Sequence, residues 1–401
     1  MIGDHCIVTS SKRFHLSERV ESGIPFYRSK EIIQKFKGEV VTECDYIPID
    51  EYANIERQFG APRVGDLLLT TRGTYGVPYV YKENDCFYFA DGNITWFKDF
   101  DESLNSKYLY YWFQSYEGYQ KVDAIAKGTA QKAVPITTLK QLELYTPIID
   151  LQNKIVNILS AYDSLIENNQ KQIKLLEEAV QRLYKEWFID LRFPGYENVE
   201  IVDGVPEGWN INRADHYFKI TIGKTPSRAE KQWFANSGEG TPWISISDMG
   251  EAGAFAFYSK EDLTAEAIVR HNMKVVPKGS VLVSFKLTVG RVAITGIDMC
   301  TNEAIAHFYI DNDLDRAYTY CYLKNFEYDS LGNTSSISKA INSKIIKSMS
   351  FIMPSRDILE QFSMIVQPIL NQIELKQKMI FRLTEARDRL LPKLMSGEIE
   401  V

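Results

Sequence analysis

Residues 151–188 read LQNKIVNILSAYDSLIENNQKQIKLLEEAVQRLYKEWF. Along this stretch Ile155, Ile158, Tyr162, Leu165, Asn169, Gln172, Leu176, Val180, Leu183 and Trp187 follow one another in steps of three and four. That spacing is a heptad seam, with Glu167, Lys171, Lys174, Glu177, Glu178 and Lys185 on the polar faces. A helix of about 38 residues is on the order of 55–60 Å long, more than a small domain can bury. Asn169 falls on the seam, where a buried amide fixes register at some cost in stability.

A second, looser stripe follows near the end of the chain: Phe362, Ile365, Ile369, Ile373, Ile380, Leu383, Leu390 and Leu394, with Pro392 close to its end. Two such helices in one chain pack most simply on each other. The expectation is a coiled coil through both seams.

The repetition extends beyond the helices. Gly65-Asp66-Leu67-Leu68-Leu69-Thr70 is answered by Gly279-Ser280-Val281-Leu282-Val283-Ser284, and Thr74-Tyr75-Gly76 by Thr288-Val289-Gly290. Lys132-Ala133-Val134 matches Lys339-Ala340-Ile341, and Thr146-Pro147 matches Met353-Pro354. Near the start of each half, Gly23-Ile24-Pro25-Phe26-Tyr27 parallels Gly240-Thr241-Pro242-Trp243-Ile244. Two copies are too few for a solenoid. They describe two similar globular domains and two similar helices in pseudo-twofold repeat. We place the domains at 1–148 and 196–354 and the helices at 149–195 and 355–401, with Phe193-Pro194-Gly195-Tyr196 as the punctuation between halves. The globular parts read as mixed α/β (α+β). Short β-rich runs such as Leu67 to Thr71, Tyr79 to Tyr81 and Phe87 to Ala90 accompany helical spacing over 104–123.

Composition excludes several classes. Hydrophobic residues make up 45% and charged residues 25% of the 401, as in ordinary globular proteins. No apolar run approaches a membrane span, and MIGDHCIVTSSKRF lacks a signal-peptide pattern, so a cytoplasmic protein is expected. The five cysteines form no CxxC pair and read as small buried residues in a reducing compartment. A net charge of −7 argues against sequence-blind nucleic-acid binding, yet leaves room for a local basic cleft.

Catalytic readings fail one by one. Gly223-Lys224-Thr225 resembles the end of a phosphate-binding loop, but Phe218 stands where the first glycine belongs and Pro226 follows directly. No Asn/Asp-Pro-Pro-aromatic motif is present to hold a flipped base. The histidines (His5, His15, His216, His271, His307) have no paired-ligand spacing, so no metal site is expected. Glu374-Leu375-Lys376 mimics a nuclease tail but lies within the second helical stripe.

What remains is a set of polar, cationic loops at equivalent places. In the first half they hold Arg28, Ser29 and Lys30; Arg72, Thr74 and Tyr75; and Lys127, Thr129, Gln131 and Lys132. In the second they hold Ser245 and Ser247; Lys286, Thr288 and Arg291; and Ser335, Ser336 and Lys339. Cations and exposed N–H groups suit phosphates, while Arg, Gln and Ser side chains suit base edges.

At this point the chain resembles the specificity subunits of Type I restriction–modification systems. The resemblance rests on Thr225-Pro226 with Pro242-Trp243-Ile244-Ser245-Ile246-Ser247-Asp248, and on Ser11-Lys12-Arg13 leading to Gly23 through Ile32. It also rests on Gly128 to Lys132 running into Thr146-Pro147, and on two helix ends: Glu186-Trp187-Phe188 with Arg192-Phe193-Pro194-Gly195, and Arg389 to Ile399. The resemblance implies a non-catalytic subunit that reads double-stranded DNA at a split, asymmetric site. Its two long helices would pair antiparallel as a ruler that sets the gap between half-sites, and would dock two adenine methyltransferase subunits, which carry S-adenosylmethionine. Restriction subunits would bring ATP and Mg, and this chain no cofactor of its own. One departure stands out: Val205-Pro206-Glu207-Gly208-Trp209 leads into the second half, and the first half has no counterpart, as a domain trimmed at its N-terminus would lack. The competing readings are a coiled-coil scaffold for protein or glycan partners, which leaves the matched cationic loops unexplained, and an autonomous restriction enzyme, which lacks its motifs.

Overall fold

The computed structural model describes residues 1–15, 19–128, 132–202, 204–331 and 341–401. The chain divides into two compact units, Met1–Asn168 with Ile380–Val401, and Asn169–Met379. Each combines short strands with helices.

In the first unit, strands Ile7–Thr9, Ile94–Lys98, Leu67–Thr70 and Pro78–Val80 form one antiparallel sheet in that order. A smaller sheet places Ile24–Tyr27 between Asp45–Ile47, antiparallel, and Tyr88–Phe89, parallel. Apolar side chains follow one another without alternation in the central strands, and Leu67, Leu68 and Leu69 are fully buried, as expected of strands covered on both faces. The 104–123 stretch is two helices, Ser106–Gln114 and Tyr116–Ile125. Ser115 breaks them by capping the second, its Oγ accepting from the Gly118 N–H at 3.1 Å. Gly118 is required there, because a Cβ would lie 1.9 Å from the Trp112 carbonyl oxygen.

The second unit repeats this order. Ile220–Ile222, Ile305–Phe308, Val281–Ser284 and Val292–Thr295 stand as the four strands of the first large sheet do, with Phe255–Ala256 added at the edge. In the smaller sheet Thr241–Ile244 pairs antiparallel with Glu261–Leu263 and parallel with Cys300–Thr301, and Phe234–Asn236 extends it. The match reaches individual hydrogen bonds. The Ala90 N–H donates to the Tyr27 carbonyl at 2.8 Å and the Asn302 N–H to that of Ile244 at 3.0 Å. The chain is a repeat in three dimensions as well as in sequence.

The long helices span Ile149–Tyr184, continued by a π turn over Lys185–Ile189, and Arg356–Met395. The second runs on through both Pro368 and Pro392. Each contributes to both units. In the first unit Ile155, Val156 and Leu159 share a core with Leu391, Leu394 and Met395; in the second Val180, Tyr184, Trp187 and Phe188 share one with Phe362, Val366 and Leu370. The early part of one helix thus meets the late part of the other in each unit, an antiparallel pairing. The ring of Phe188 lies 4.9 Å from that of Phe362.

The seam differs from the strict heptad reading at particular positions. Ile158, Leu176, Leu183, Ile369 and Leu390 pack partly buried against the cores, Val180, Trp187 and Ile373 are buried, and Tyr162, Ile380 and Leu383 are half-buried. Asn169 is a buried amide, 6% exposed. Leu165, however, is 49% exposed and Ile365 47%, while their neighbours Ile166 and Val366 are buried. A 3.6-residue helix drifts about 20° per heptad against a 3.5 repeat, enough to pass the contact to the next residue. That drift corrects Leu165 and Ile365, and it brings Val156, Leu159, Leu370 and Tyr184 into the cores.

Candidate nucleic-acid interface

In the first unit three of the cationic loops meet at the ends of strands Ile24–Tyr27, Leu67–Thr70 and Tyr88–Phe89. Arg28 and Ser29 begin a helix, Ser29–Phe36, whose entry is fixed by the Arg28 N–H donating to the buried Glu31 carboxylate at 2.8 Å. Ser29 Oγ reaches the carbonyl oxygens of Asn93, at 3.3 Å, and Arg72, at 3.5 Å. The Gly73 N–H donates to the Lys132 carbonyl at 3.3 Å and the Val134 N–H to that of Thr71 at 2.9 Å. Lys127 and Ala133 exchange two backbone bonds of 2.8 Å. Residues more than 100 positions apart thus form one bonded platform.

On this platform Arg72, Thr74, Lys30 and Lys127 are exposed. Among the described residues the Arg72, Lys30 and Lys127 side chains have no ion-pair partner, which leaves their charge available to an anion. Other candidates hold the platform together. Tyr75 donates its hydroxyl to Asp123, and Lys132 Nζ lies 3.1 Å from the same carboxylate and 3.3 Å from the Tyr75 oxygen. The Tyr75 and then the Lys132 hydrogen bond keep the Asp123 carboxyl below its usual range, and Asp123 in turn holds the ammonium more firmly charged. Arg28 is paired with Asp45. Thr129 and Gln131 lie outside the described residues, as do Ser335, Ser336 and Lys339 in the second half.

The second unit builds the same place with other side chains. Ser284 corresponds to Thr70 and Gly290 to Gly76. The Gly76 N–H donates to the Thr70 carbonyl at 2.8 Å, and the Gly290 N–H to the Ser284 carbonyl at 2.9 Å. Ser284 Oγ also donates to the Thr288 carbonyl at 2.6 Å and accepts from the Arg291 N–H at 3.0 Å. The Arg291 guanidinium turns inward to the Ile246 carbonyl, and Ser245 caps the helix Ile246–Glu251 with its Oγ 2.6 Å from Asp248. These two candidates are therefore loop-holding residues, since a hydroxyl beside a helix start and a guanidinium over a free carbonyl find partners within the chain first. Ser247 is exposed and accepts from Lys260 at 3.1 Å. Lys286 and Thr288 remain exposed.

Sequence reading missed Glu303 and Arg228. The Glu303 carboxyl is held low by a hydrogen bond from Thr225 and by the Lys286 and Arg228 cations. Arg228 stacks 4.4 Å from the Phe234 ring centroid and 4.5 Å from that of Trp243. Asp91, paired with Arg13 at 2.9 Å, stands at the corresponding turn of the first unit, so the recurrence of an acid there was the available signal. The Gly-Lys-Thr stretch is explained by packing, because a Cβ on Gly223 would fall 2.1 Å from Thr301 Oγ1. Glu374 of the nuclease-like triplet lies in the helix and pairs with Lys378 at 2.7 Å and Lys278 at 3.1 Å. Among the described residues no group of His, Cys, Asp and Glu could hold a metal ion, and no helix is long and apolar enough to cross a membrane.

The Type I restriction modification DNA specificity domain matches the chain twice, over residues 2–178 and 206–385. The chain belongs to this family. A specificity subunit of the Type I restriction enzyme MjaIX from Methanocaldococcus jannaschii is 28% identical over 363 residues, covering 84% of this chain and 78% of the relative. The HindI specificity subunit of Haemophilus influenzae is 26% identical over 353 residues, covering 70% and 74%. Among solved structures, the S subunit of a Type I system from M. genitalium superposes with a TM-score of 0.61 at 17% identity, over 98% of this chain and 94% of that one. The specificity-subunit fold is two mixed helix-and-strand units with long paired helices, as the sequence leads one to expect. The scaffold alternative finds no support among these relatives.

Proposed function

We propose that this specificity subunit reads a bipartite, asymmetric DNA site, one half-site with each unit, and performs no chemistry itself. The observation that carries the reading is the paired platform: equivalent strand ends and turns in both units, carrying different exposed side chains. Equal frames with unequal side chains suit two unlike half-sites, as symmetric dimers suit palindromes. Arg72, Lys30, Lys127 and Lys286 supply phosphate or guanine contacts, and Thr74, Thr288 and Ser247 supply hydroxyls. The antiparallel helices set the gap between half-sites and dock two adenine methyltransferase subunits, which carry S-adenosylmethionine. Restriction subunits with ATP and Mg join for cleavage, in the cytoplasm. The acidic overall charge is compatible with this division of labour, because partner subunits add phosphate contacts.

Methylation mapping of DNA from cells expressing this chain with its methyltransferase subunit tests the reading. Two short half-sites around a fixed unread gap, methylated on adenine, are expected. Arg72→Ala with Lys127→Ala should weaken binding at one half-site by roughly 10–100-fold and leave the other intact. A stable complex that yields no split motif would overturn the proposal.

A further inference from the structure

Leu287 stands at the tip of the second unit's turn, between Lys286 and Thr288, and is 94% exposed. Its backbone is left-handed, with φ of +60°. The corresponding tip residue of the first unit is Gly73, with φ of +73°. Glycine accepts that conformation freely and a leucine does not, because its Cβ crowds the backbone. The chain therefore carries a bulky residue at a position whose backbone favours glycine.

The other left-handed non-glycine residues differ in circumstance. Asp99 and Asn272 are residue types that tolerate the conformation. Leu191, with φ of +55°, packs against the second unit's core, and that burial offsets its strain. Leu287 has neither excuse. It costs conformational energy and leaves a large apolar side chain in water with no cover among the described residues, and a contact from outside the chain offsets the second of these penalties. The turn beneath it is held at both ends, by the Ser284 Oγ bond to the Thr288 carbonyl at 2.6 Å and the Gly290 N–H bond to the Ser284 carbonyl at 2.9 Å. The side chain is thus presented on a fixed base beside Lys286, whose charge suits a phosphate.

We infer that Leu287 is a specificity-determining residue that reads one half-site by apolar contact with a thymine methyl group. The inference rests on the DNA-reading function above. The methyl is the one apolar feature a base pair offers in the major groove, and it distinguishes T·A from the other pairs there. A branched aliphatic chain beside a cation fits it, with the lysine on the neighbouring phosphate. The first unit, with Gly73, lacks this contact and relies on Arg72 and Thr74 at its tip.

The test uses the complex of this chain with its methyltransferase subunit and duplexes carrying the mapped motif. Each thymine of the motif is replaced in turn by uracil, which removes only the methyl. In the wild-type complex one uracil position, confined to one half-site, should weaken binding about three- to tenfold. With Leu287→Gly the affinity for the unmodified duplex should fall by a similar factor and that uracil effect should vanish, with thermal stability unchanged or raised. A flat uracil scan, unchanged affinity in the variant, or a lowered melting temperature showing that Leu287 packs inside the chain would each overturn the inference. Absence of any split motif in the wild type would instead sink the DNA-reading function itself, so the two failures are distinguishable.

Discussion

The two units treat one equivalent stretch, just ahead of each long helix, differently. In the second, Asn210–Arg213 pairs antiparallel with Ser350–Met353, and Trp209 just before it lies 5.7 Å from the Phe188 ring and 5.3 Å from that of Phe193. In the first, the corresponding stretch around Leu144 and Tyr145 has no partner strand among the described residues, and Tyr145 is 71% exposed. A cavity of about 310 Å³ opens there, lined by Tyr108, Tyr145, Ile155, Leu394 and Met395 among others. The frame around the two places is otherwise the same. The Tyr108 hydroxyl donates to the Tyr145 carbonyl at 3.2 Å, and the Tyr318 hydroxyl to the Ile352 carbonyl at 2.7 Å. The second unit adds one indole and one short strand, so a repeated fold tolerates an unpaired stretch when the helices beneath it supply the core.

That contrast is most directly broken at Trp209. It is 8% exposed, and Trp209→Ala should cost about 3–5 kcal/mol, read as lost amide protection in second-unit peptides while first-unit peptides keep theirs. A loss below about 1 kcal/mol would mean that the indole does not perform the filling that the first unit lacks.

The helix seams offer a second contrast. Arg387 and Asp163 form a pair of 2.7 Å in the first unit, with the Tyr111 hydroxyl 2.6 Å from the same carboxylate. The positions 207 residues away, 387 − 207 and 163 + 207, hold the buried Val180 and Leu370. Arg387→Ala should cost roughly 1.5–3 kcal/mol, because it strands a half-buried carboxylate. Replacing the polar cluster by apolar side chains, with Arg387→Val and Asp163→Leu as in the second unit and Tyr111→Phe to remove the stranded hydroxyl, should restore stability to within about 1 kcal/mol of the wild type in thermal melts. If the triple variant is no better than the single, the two seams are not interchangeable.

The smallest expected effect concerns pH. His307 is fully buried between Thr221 Oγ1 at 2.8 Å and Thr301 Oγ1 at 2.7 Å, and burial lowers its pKa to about 3. In the first unit Trp96 occupies the matching strand position and binds Asp66 at 2.8 Å. Because the folded pKa lies below the ordinary value, the unfolded chain takes up the proton first. Stability from a neutral His307 is therefore complete above pH 6.5 and lost as pH falls below it, by about 1.4 kcal/mol per unit, or about 2 kcal/mol at pH 5. Hydrogen exchange at pH 7 and pH 5, corrected for intrinsic rates, should show the second unit weakening more than the first. His307→Gln should flatten that dependence.

Much of this was legible in the chain itself. The heptad spacing from Ile155 to Trp187 determined a long helix, since only a helix returns apolar residues to one face every three and four positions. The internal repeat determined that two like units would follow, because similar apolar patterns select similar sheets. Cationic loops at matched places marked the candidate interface. Tertiary structure alone decided which of those side chains face outward. Arg291 and Ser245 read as contacts in sequence, yet a guanidinium over the Ile246 carbonyl and a hydroxyl beside Asp248 are satisfied within the chain. Likewise Leu165 gave way to Ile166, because a residue's place on a helix depends on the drift accumulated against its partner helix. The exposure and left-handed backbone of Leu287 were also beyond sequence, for a turn's dihedral angles are set by the hydrogen bonds that close it.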